Sequence, residues 1–341
     1  MTRKSKCYIV ERKNWVLFSL KMDYVSGAGP LNRYSVDALR FFEEMPERNV
    51  VSWTSLMVGY SDSGDPGEVI NIYQRLRHEG VGCNENTFST VISSCGLLED
   101  ELLGHQVLGH VIKSGFETNV SVANSLVSMF GSFRYIQEAC CVFDLMIEHD
   151  TISWNSMISA YAHNGLCEES LMCFYLMRCV HNEIDSTTLS SLLSVCSTVD
   201  NLKWGRGIHG LVVKFGLDSN VCVCNTLLNM YSEAGRPKDA EELFQGMPDR
   251  DLISWHSMMA GYVQDGKCLD ALKVLAELLK MGKLMNCVTF ASALAACSDP
   301  EFLFEGKIVH AACDHVWLPR EFDCWKCISN HVCKVWHDWG S

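Results

Sequence analysis

The chain has 341 residues, of which 48% are hydrophobic and 20% are charged, and its formal net charge is −13. This hydrophobic share excludes a disordered chain, and the lack of any apolar run of about 18 residues argues against a membrane-spanning helix or a membrane partner. Because the protein is acidic, general attraction to phosphate groups cannot by itself hold a nucleic acid.

The N-terminal segment, residues 1–36, matches the repeat pattern poorly. Its first 30 residues carry six Lys and Arg against two acidic residues, but they lack the Arg- and Ser-rich amphipathic character of an organellar transit peptide. Residues 37–49 resemble only the second half of a repeat. One interpretation is that the natural start of the protein lies upstream of Met1.

The rest of the chain repeats itself with a period of 101 residues. Trp53, Trp154 and Trp255 follow this period, and three methionines, three cysteines and three glycines follow it as well. These are Met45, Met146 and Met247, Cys95, Cys196 and Cys297, and Gly104, Gly205 and Gly306. Four residue types do not share one period by chance, so the chain is a repeat array.

Each period divides into repeats of 35, 35 and 31 residues, and the array covers residues 37–310. A single helical hairpin cannot bury its apolar faces alone, so neighbouring repeats must stack. We therefore expect an all-α fold, a right-handed superhelical solenoid of helix-turn-helix repeats. The repeats are 50–84, 85–119, 120–150, 151–185, 186–220, 221–251, 252–286 and a partial repeat at 287–310.

Repeat 151–185 illustrates the pattern within one hairpin. Apolar residues at helical spacing predict a first helix, Asn164-Gly165 supplies a left-handed C-cap, and a second apolar face follows. The predicted apolar residues are Ile152, Trp154, Met157, Ile158 and Tyr161 in the first helix and Leu171, Phe174, Leu176 and Met177 in the second. The same break recurs at Ser63-Gly64 and at Asp265-Gly266.

Two motifs in these repeats carry a resemblance to a known family. Repeats that read V-[ST]-W-N-S-[LM]-I-x-[AG]-Y-x-x-x-G, and short repeats that end in M-P-x-R-[DN], resemble pentatricopeptide repeats. The alternation of 35, 35 and 31 residues resembles the plant organellar subclass that is built from such triplets. Tetratricopeptide repeats, which have about 34 residues, fit worse in length and motif. The resemblance implies a mitochondrial or plastid protein.

The resemblance also implies binding of single-stranded RNA, with one base per repeat. In the family, the fifth and the last residue of a repeat select the base: Thr with Asn favours adenine, and Asn with Asp favours uracil. The implied RNA, read 5′ to 3′, is A-x-U-U-x-U-x, and His256 departs from the usual residues. The pairs are Thr54 with Asn84, Ser89 with Asn119, Asn124 with Asp150, Asn155 with Asp185, Ser190 with Asn220, Asn225 with Asp251 and His256 with Asn286.

The same Asn and Asp residues have a purely structural interpretation. Asn and Asp at the start of a helix are common N-caps and turn residues. Their recurrence at fixed offsets does not separate the two interpretations, because caps would recur in the same way.

The 18 cysteines raise the question of disulfides or a metal site. Cys95, Cys196 and Cys297 share one helix position three repeats apart, which is too far for a disulfide. We expect them to be small buried residues, and we expect neither a metal nor another cofactor.

Enzymatic activity is not indicated. Some members of the subclass end in a zinc-dependent cytidine deaminase domain, which needs H-x-E followed by P-C-x-x-C. His181-Asn182-Glu183 spells H-x-E, but Cys324 and Cys327 come 141 residues later and follow Asp323 instead of proline. We expect no enzyme, so catalysis such as RNA editing would be supplied by a partner protein acting in trans or by a missing C-terminal part.

Residues 311–341 depart from the repeat pattern. Trp317 and Trp336 stand 101 residues after Gly216 and Gly235, and the tryptophan codon read from its second base encodes glycine. A shifted reading frame therefore restores both glycines, and genomic DNA tests this interpretation. The alternative is a zinc site formed by Cys324, Cys327, His331 and Cys333.

Three functions are consistent with the sequence. The first is sequence-selective recognition of single-stranded RNA in organellar RNA processing or editing. The second is a protein-binding α-solenoid scaffold, which the acidic composition favours modestly. The third is a non-functional, truncated family member whose last repeat is incomplete.

Overall fold

The structure, a computed structural model, describes residues 38–180, 184–281, 287–297 and 309. Every regular element in these ranges is an α-helix, and the predicted all-α fold of stacked helical hairpins is confirmed. The chain forms two compact units, Met1–His181 and Asn182–Ser341, each of which is treated by itself. Segments 1–36 and 311–341, Asn286 and the H-x-E motif lie outside the described residues, and so do the cysteines of the tail.

The first compact unit begins with a helical segment at residues 38–43, and four hairpins follow in its described part. Within each hairpin the two helices pack on each other, and the first helices of consecutive hairpins in this unit also pack on each other. The hairpins are α1 (Val50–Asp62) with α2 (Pro66–His78), α3 (Glu85–Leu98) with α4 (Glu101–Ser114), α5 (Val120–Ser132) with α6 (Ile136–Leu145), and α7 (Thr151–His163) with α8 (Cys167–Val180).

The second compact unit repeats this arrangement. Its first helices α9, α11, α13 and α15 again pack in chain order. The helices are α9 (Ser186–Val195), α10 (Leu202–Lys214), α11 (Val221–Glu233), α12 (Pro237–Gly246), α13 (Leu252–Gln264), α14 (Cys268–Lys280) and α15 (Cys287–Ala296). The short repeats have short second helices: α6 and α12 have 10 residues each, whereas α8 has 14. About one helical turn therefore accounts for the difference between 35 and 31 residues.

The turn inside each tryptophan-containing hairpin depends on a glycine. Gly64, Gly165 and Gly266 have φ angles of 74°, 71° and 72°, which is the left-handed region that side chains with a Cβ disfavour. A Cβ added at any of the three would meet no atom within 4 Å. The requirement for glycine is therefore conformational and not steric.

Replacing Gly165 with alanine is expected to destabilise the first compact unit by about 1 kcal/mol, because alanine resists the left-handed region. Gly109→Ala is the matched control: Gly109 lies inside α4 with open space around its Cα, so alanine should stabilise that helix by up to about 1 kcal/mol. Thermal unfolding of the two variants should shift in opposite directions. A shift in the same direction would contradict this explanation.

The periodic tryptophans pack at the junction between a short repeat and the next long one. Trp53, Trp154 and Trp255 are at most 7% exposed, and each meets a phenylalanine edge to face. The ring centroids are 4.6 Å apart for Phe42 and Trp53, 5.1 Å for Phe143 and Trp154, and 4.9 Å for Phe244 and Trp255. These contacts account for the tryptophan at one position in every period.

The M-P-x-R motif closes the second helix of each short repeat. Nε of Arg48 donates to the carbonyl of Phe42 at 3.2 Å, and Nε of Arg250 donates to the carbonyl of Phe244 at 2.8 Å. In repeat 120–150, His149 takes the place of the arginine, with Nε2 2.9 Å from the carbonyl oxygen of Phe143. A positively charged side chain after the last turn of a helix also interacts favourably with the negative, C-terminal end of the helix dipole.

Neighbouring first helices approach each other closely where two small residues meet. A Cβ on Gly131 of α5 would lie 2.7 Å from Cβ of Ala160 on α7. At the equivalent crossing 101 residues later, the glycine is on the other helix: a Cβ on Gly261 of α13 would lie 2.3 Å from Oγ of Ser232 on α11. Each crossing therefore accepts one Cβ and not two.

Two predicted core positions in repeat 151–185 are wrong. Ile152 is 63% exposed and Leu176 is 48% exposed. The buried residues of the two helices include Trp154, Met157 and Ile158 in α7 and Phe174 with Met177 in α8. Ile152 lies two residues before the buried Trp154, and Leu176 lies two residues after the buried Phe174. Two residues correspond to about 200° around a helix, so each side chain lies on the opposite side from that buried residue.

The three periodic cysteines are small buried residues. Cys95, Cys196 and Cys297 are at most 5% exposed, and no described cysteine forms a disulfide. Burial raises the pKa of Cys95 to about 12, so its thiol stays protonated. Within the described ranges, no His, Cys, Asp or Glu cluster could hold a metal ion, and no helix has the length and apolarity to cross a bilayer.

Candidate nucleic-acid interface

The last residue of each repeat caps the first helix of the next repeat. In every described case, Oδ1 of this Asn or Asp accepts the backbone N–H three residues further on, which is the usual N-cap hydrogen bond. The distances are 2.8 Å for Asn84, 3.2 Å for Asn119, 2.7 Å for Asp150, 2.7 Å for Asp185, 3.1 Å for Asn220 and 2.8 Å for Asp251. These residues are therefore structural caps, whatever else they do.

Two of the predicted pairs are joined by a direct hydrogen bond. Nδ2 of Asn124 donates to Oδ1 of Asp150 at 3.2 Å, and Nδ2 of Asn225 donates to Oδ1 of Asp251 at 3.1 Å. The fifth residue of a repeat thus reaches across to the cap of the next first helix. The bond also fixes the orientation of the amide group.

Thr54 and Asn84, another predicted pair, are joined through the hydroxyl group of Thr87. Oγ1 of Thr54 lies 2.8 Å from Oγ1 of Thr87, and Thr87 donates to Oδ1 of Asn84 at 2.8 Å. His256 repeats the first half of this arrangement, because its Nε2 bonds to Oγ1 of Thr289. Burial holds the pKa of His256 below its ordinary value, and the Asp251 carboxylate offsets part of that effect.

The pairs Ser89 with Asn119 and Ser190 with Asn220 are not joined in this way. Oγ of Ser89 lies 3.1 Å from Oγ of Ser121, while Nδ2 of Asn119 donates to Oε2 of Glu85 at 2.9 Å. Oγ of Ser190 is buried without a hydrogen-bond partner in the described structure. Asn155 belongs to the first compact unit and Asp185 to the second.

The fifth residues are more buried than free base-reading groups would be. Thr54, Asn124, Asn155 and Asn225 are only 6–7% exposed. Among the described residues, Oδ1 of Asn124 and Oδ1 of Asn225 are nevertheless without a hydrogen-bond partner. An unpaired buried acceptor costs on the order of 1–3 kcal/mol, so a small movement that opens either oxygen to an N–H donor of a ligand would be favoured.

The aspartates of the two joined pairs remain ionised at neutral pH. Partial burial raises the pKa of Asp150, but hydrogen bonds from Ser153, Asn124 and the backbone outweigh it and hold the pKa below the ordinary value. The pKa of Asp251 is lowered by the same balance, with Asn225 and Ser254 as donors. In both carboxylates, Oδ1 is the atom that accepts the hydrogen bonds from the asparagine amide, from the serine hydroxyl and from the serine backbone N–H.

An exposed aliphatic side chain stands beside these positions and was missed from the sequence. The second residue of each tryptophan-containing repeat is exposed: 38% for Val51, 63% for Ile152 and 58% for Ile253. Their 101-residue period was the available signal, but helical spacing had assigned Ile152 to the core. Exposed β-branched residues at one recurrent position indicate a contact surface.

The first helices carry no basic residues that could bind phosphate. Helices α1, α3, α5, α7, α9, α11, α13 and α15 contain no Lys or Arg, and their acidic residues are Asp62, Glu85 and Glu233. The Lys and Arg of the described ranges lie on second helices and in turns. The first helices therefore contribute no positive charge around the predicted pairs, and the ionised Asp150 and Asp251 make this surface locally negative.

Comparison with known sequences gives consistent matches. A profile of the PPR repeat family matches residues 48–96, and a PPR repeat profile matches residues 121–151, 152–180, 222–252 and 253–282. A chloroplastic pentatricopeptide repeat-containing protein of Arabidopsis thaliana is 35% identical over 280 residues, which are 81% of this chain and 32% of that protein. A mitochondrial one is 34% identical over 274 residues, which are 80% of this chain and 40% of that protein.

The chain thus spans less than half the length of these two relatives. Among solved structures, the crystal structure of the pentatricopeptide repeat protein PPR10 in complex with an 18-nt psaJ RNA element has a TM-score of 0.65. The match covers 91% of this chain and 47% of the PPR10 chain at 16% sequence identity. At this identity the likeness is one of fold.

Proposed function

The chain belongs to the pentatricopeptide repeat family, and from this premise we propose that it binds single-stranded RNA sequence-selectively, one base per repeat. The observation that carries the proposal is the direct hydrogen bond between the fifth residue and the last residue in repeats 120–150 and 221–251. This bond presents an oriented amide at the same place in both repeats. The RNA held by PPR10 supports the same use of the fold.

The Asn–Asp pairs have the chemistry to select uracil. Nδ2 of Asn124 gives one hydrogen to Asp150 and keeps a second, while its Oδ1 is an unpaired acceptor. A donor and an acceptor on one amide complement the carbonyl oxygen and the N3–H of uracil. The aspartate acts as a positioning residue, because it holds the amide in this orientation. The same description applies to Asn225 and Asp251.

The Thr54–Asn84 pair offers a hydroxyl group and an amide. Oγ1 of Thr54 donates its hydrogen to the carbonyl oxygen of Val50 and can still accept from the amino group of adenine, while Nδ2 of Asn84 can donate to N1. The hydrogen bonds of Thr87 to Thr54 and to Oδ1 of Asn84 hold the two side chains of the pair in place. This pair would therefore read adenine at the first position of A-x-U-U-x-U-x.

The exposed aliphatic residues would contact the faces of the bases. Val51, Ile152 and Ile253 follow the N-cap by two residues, and each lies on the same helix as a fifth residue. An apolar side chain beside a hydrogen-bonding edge allows a base to be packed on its face while its edge is read.

Cellular localisation and partners follow from the family. Curated relatives are named chloroplastic or mitochondrial, and we extend an organellar localisation to this chain. The repeats would act as a recognition factor in RNA processing or editing and supply no catalytic step. The step that modifies or cuts the RNA would come from proteins acting in trans or from a part of the protein outside this sequence.

Binding of a short RNA should depend only weakly on salt. Because no Lys or Arg lies on the first helices, few phosphates would be neutralised. Neutralising seven phosphates of a single strand would give a slope of log K against log [salt] of about −5, whereas we expect a slope shallower than about −2. Titration of the full chain with a seven-nucleotide RNA at several salt concentrations measures this slope, and a value of about −5 would contradict a binding surface without cations.

One observation favours a second candidate, a scaffold for proteins. A surface that lacks cations and exposes Val51, Ile152 and Ile253 also suits a peptide. Selection from a random RNA pool by the full chain separates the two functions. RNA reading predicts enrichment of A-x-U-U-x-U-x, whereas a pool that stays random after selection would support the scaffold.

A further inference from the structure

Helix α10 differs in charge from every other labelled helix. Among α1–α15 it alone carries Lys and Arg without any acidic residue, the three cations being Lys203, Arg206 and Lys214. The chain as a whole has a net charge of −13, so a purely cationic helix is a local exception. All three basic residues are exposed.

The same helix carries an exposed indole ring. Trp204 is 52% exposed, whereas Trp53, Trp154 and Trp255 are at most 7% exposed. Nζ of Lys203 lies 6.0 Å from the centroid of the Trp204 ring. Leaving this much tryptophan surface in water is unfavourable, so the ring is available for a ligand.

The cations and the ring border one open strip of the helix. Lys203, Gly207, Gly210 and Lys214 follow each other at helical spacing, with a lysine at each end. A Cβ added at either glycine would meet nothing within 4 Å. No neighbouring atom excludes a side chain at either position. Because glycine has no side chain, the surface between the two lysines is flat, and a ligand can approach the helix backbone there.

The repeat itself does not require this surface. In α4, which stands 101 residues earlier, the residues equivalent to Lys203, Trp204 and Gly207 are Leu102, Leu103 and Gln106. Helix α4 also begins with Glu101. Lys113 of α4 matches Lys214, so the features specific to α10 are Lys203, Arg206 and the exposed ring of Trp204.

We propose that α10 is a second contact for the bound RNA, outside the bases that the repeats read. Lys203 and Lys214 would hold phosphates, and a base would stack on Trp204 beside the Lys203 ammonium group. Arg206 contributes less, because it shares Asp239 with Arg236 at 3.1 and 3.0 Å. This contact supplies phosphate attraction that the first helices lack, and it rests on the proposed RNA-binding function.

A single strand of RNA fits this surface better than an acidic peptide does. One nucleotide offers both a flat base face and a phosphate, which is the combination of an exposed indole and adjacent lysines. An acidic peptide would use the cations and leave the ring unoccupied.

The test compares two RNAs with the full chain at one salt concentration. The short RNA contains only A-x-U-U-x-U-x, and the long RNA adds uridine flanks on both sides. We expect the long RNA to bind more tightly and Trp204→Ala to remove that gain, which is about tenfold for one stacked base. Trp204→Phe should keep most of the gain. Lys214→Ala should weaken only the long RNA, whereas Lys113→Ala, the equivalent change in α4, should have no effect.

The outcomes separate the two proposals. If both RNAs bind and Trp204→Ala leaves the gain intact, or weakens the short RNA equally, the α10 contact is wrong and RNA reading stands. If neither RNA binds, RNA reading is wrong and the α10 contact fails with it. If polyglutamate displaces the long RNA at matched charge while polyuridine does not, α10 binds acidic protein.

Discussion

Exchanging Asn225 for threonine together with Asp251 for asparagine is expected to change the preferred base at the repeat 221–251 from uracil to adenine. The double variant replaces the oriented amide with the hydroxyl and amide that Thr54 and Asn84 provide in repeat 50–84. A well-formed pair of hydrogen bonds to a base edge is worth about 1–3 kcal/mol. Affinity for RNA with adenine at the sixth position should therefore rise, and affinity for uracil fall, by about tenfold each.

The control for this variant is the same exchange one period earlier. Asn124→Thr with Asp150→Asn should change the preference at the third position of the RNA and leave the sixth unchanged. Stability should be little affected in either case, because asparagine caps a helix about as well as aspartate. A loss of binding that does not depend on the base, or a change at the wrong position, would contradict the assignment of these pairs.

Gly131→Ala is expected to lower the free energy of unfolding by about 1–3 kcal/mol, because two Cβ atoms cannot fit at the crossing of α5 and α7. Adding Ala160→Gly should recover most of this loss. The double variant has its glycine on the later helix, as the native crossing of Ser232 and Gly261 does. Some cost should remain, since glycine inside a helix is about 1 kcal/mol less favourable than alanine.

Chemical denaturation of the wild type, the single variant and the double variant measures this rescue. The second substitution must stabilise the protein that carries Gly131→Ala but destabilise the wild type, in which Ala160 has room. If Ala160→Gly destabilises both backgrounds equally, the two helices do not meet at these residues.

The sequence was sufficient to predict the fold because every period repeats the same packing. The spacing of Trp53, Trp154 and Trp255 required equivalent surroundings, and the structure supplies a phenylalanine edge for each. The break after α7 was also predictable, because Gly165 is the residue that the left-handed turn favours. Helical spacing failed for Ile152 and Leu176, where an apolar residue faces water.

The arrangement within the candidate pairs was less predictable. The hydrogen bond from Asn124 to Asp150 joins the first helix of one repeat to the cap of the next, so it depends on how two hairpins stack and not on spacing along one helix. The burial of Asn124 depends on the same contact. Sequence alone also left capping and base reading as alternatives, whereas the geometry allows both: Oδ1 of Asp150 caps α7 and at the same time holds the amide.

Trp204 is the opposite case, because the search for a period does not detect this exposed ring. Trp204 does not follow the 101-residue period, so a search for repeated residues passes over it. The exposure of its ring and the positive charge of α10, which the structure shows, indicate a role different from that of Trp53, Trp154 and Trp255. Departures from the repeat are therefore as informative about function as the repeat itself.

The central claim is that oriented Asn–Asp and Thr–Asn pairs select the bases of an RNA strand. The most direct measurement is the ratio of affinities of the full chain for an RNA that contains A-x-U-U-x-U-x and for the same RNA with those four bases replaced. Because each mismatch costs about 1–3 kcal/mol, we predict a ratio of at least about a hundred. Equal affinities for the two RNAs would contradict the claim.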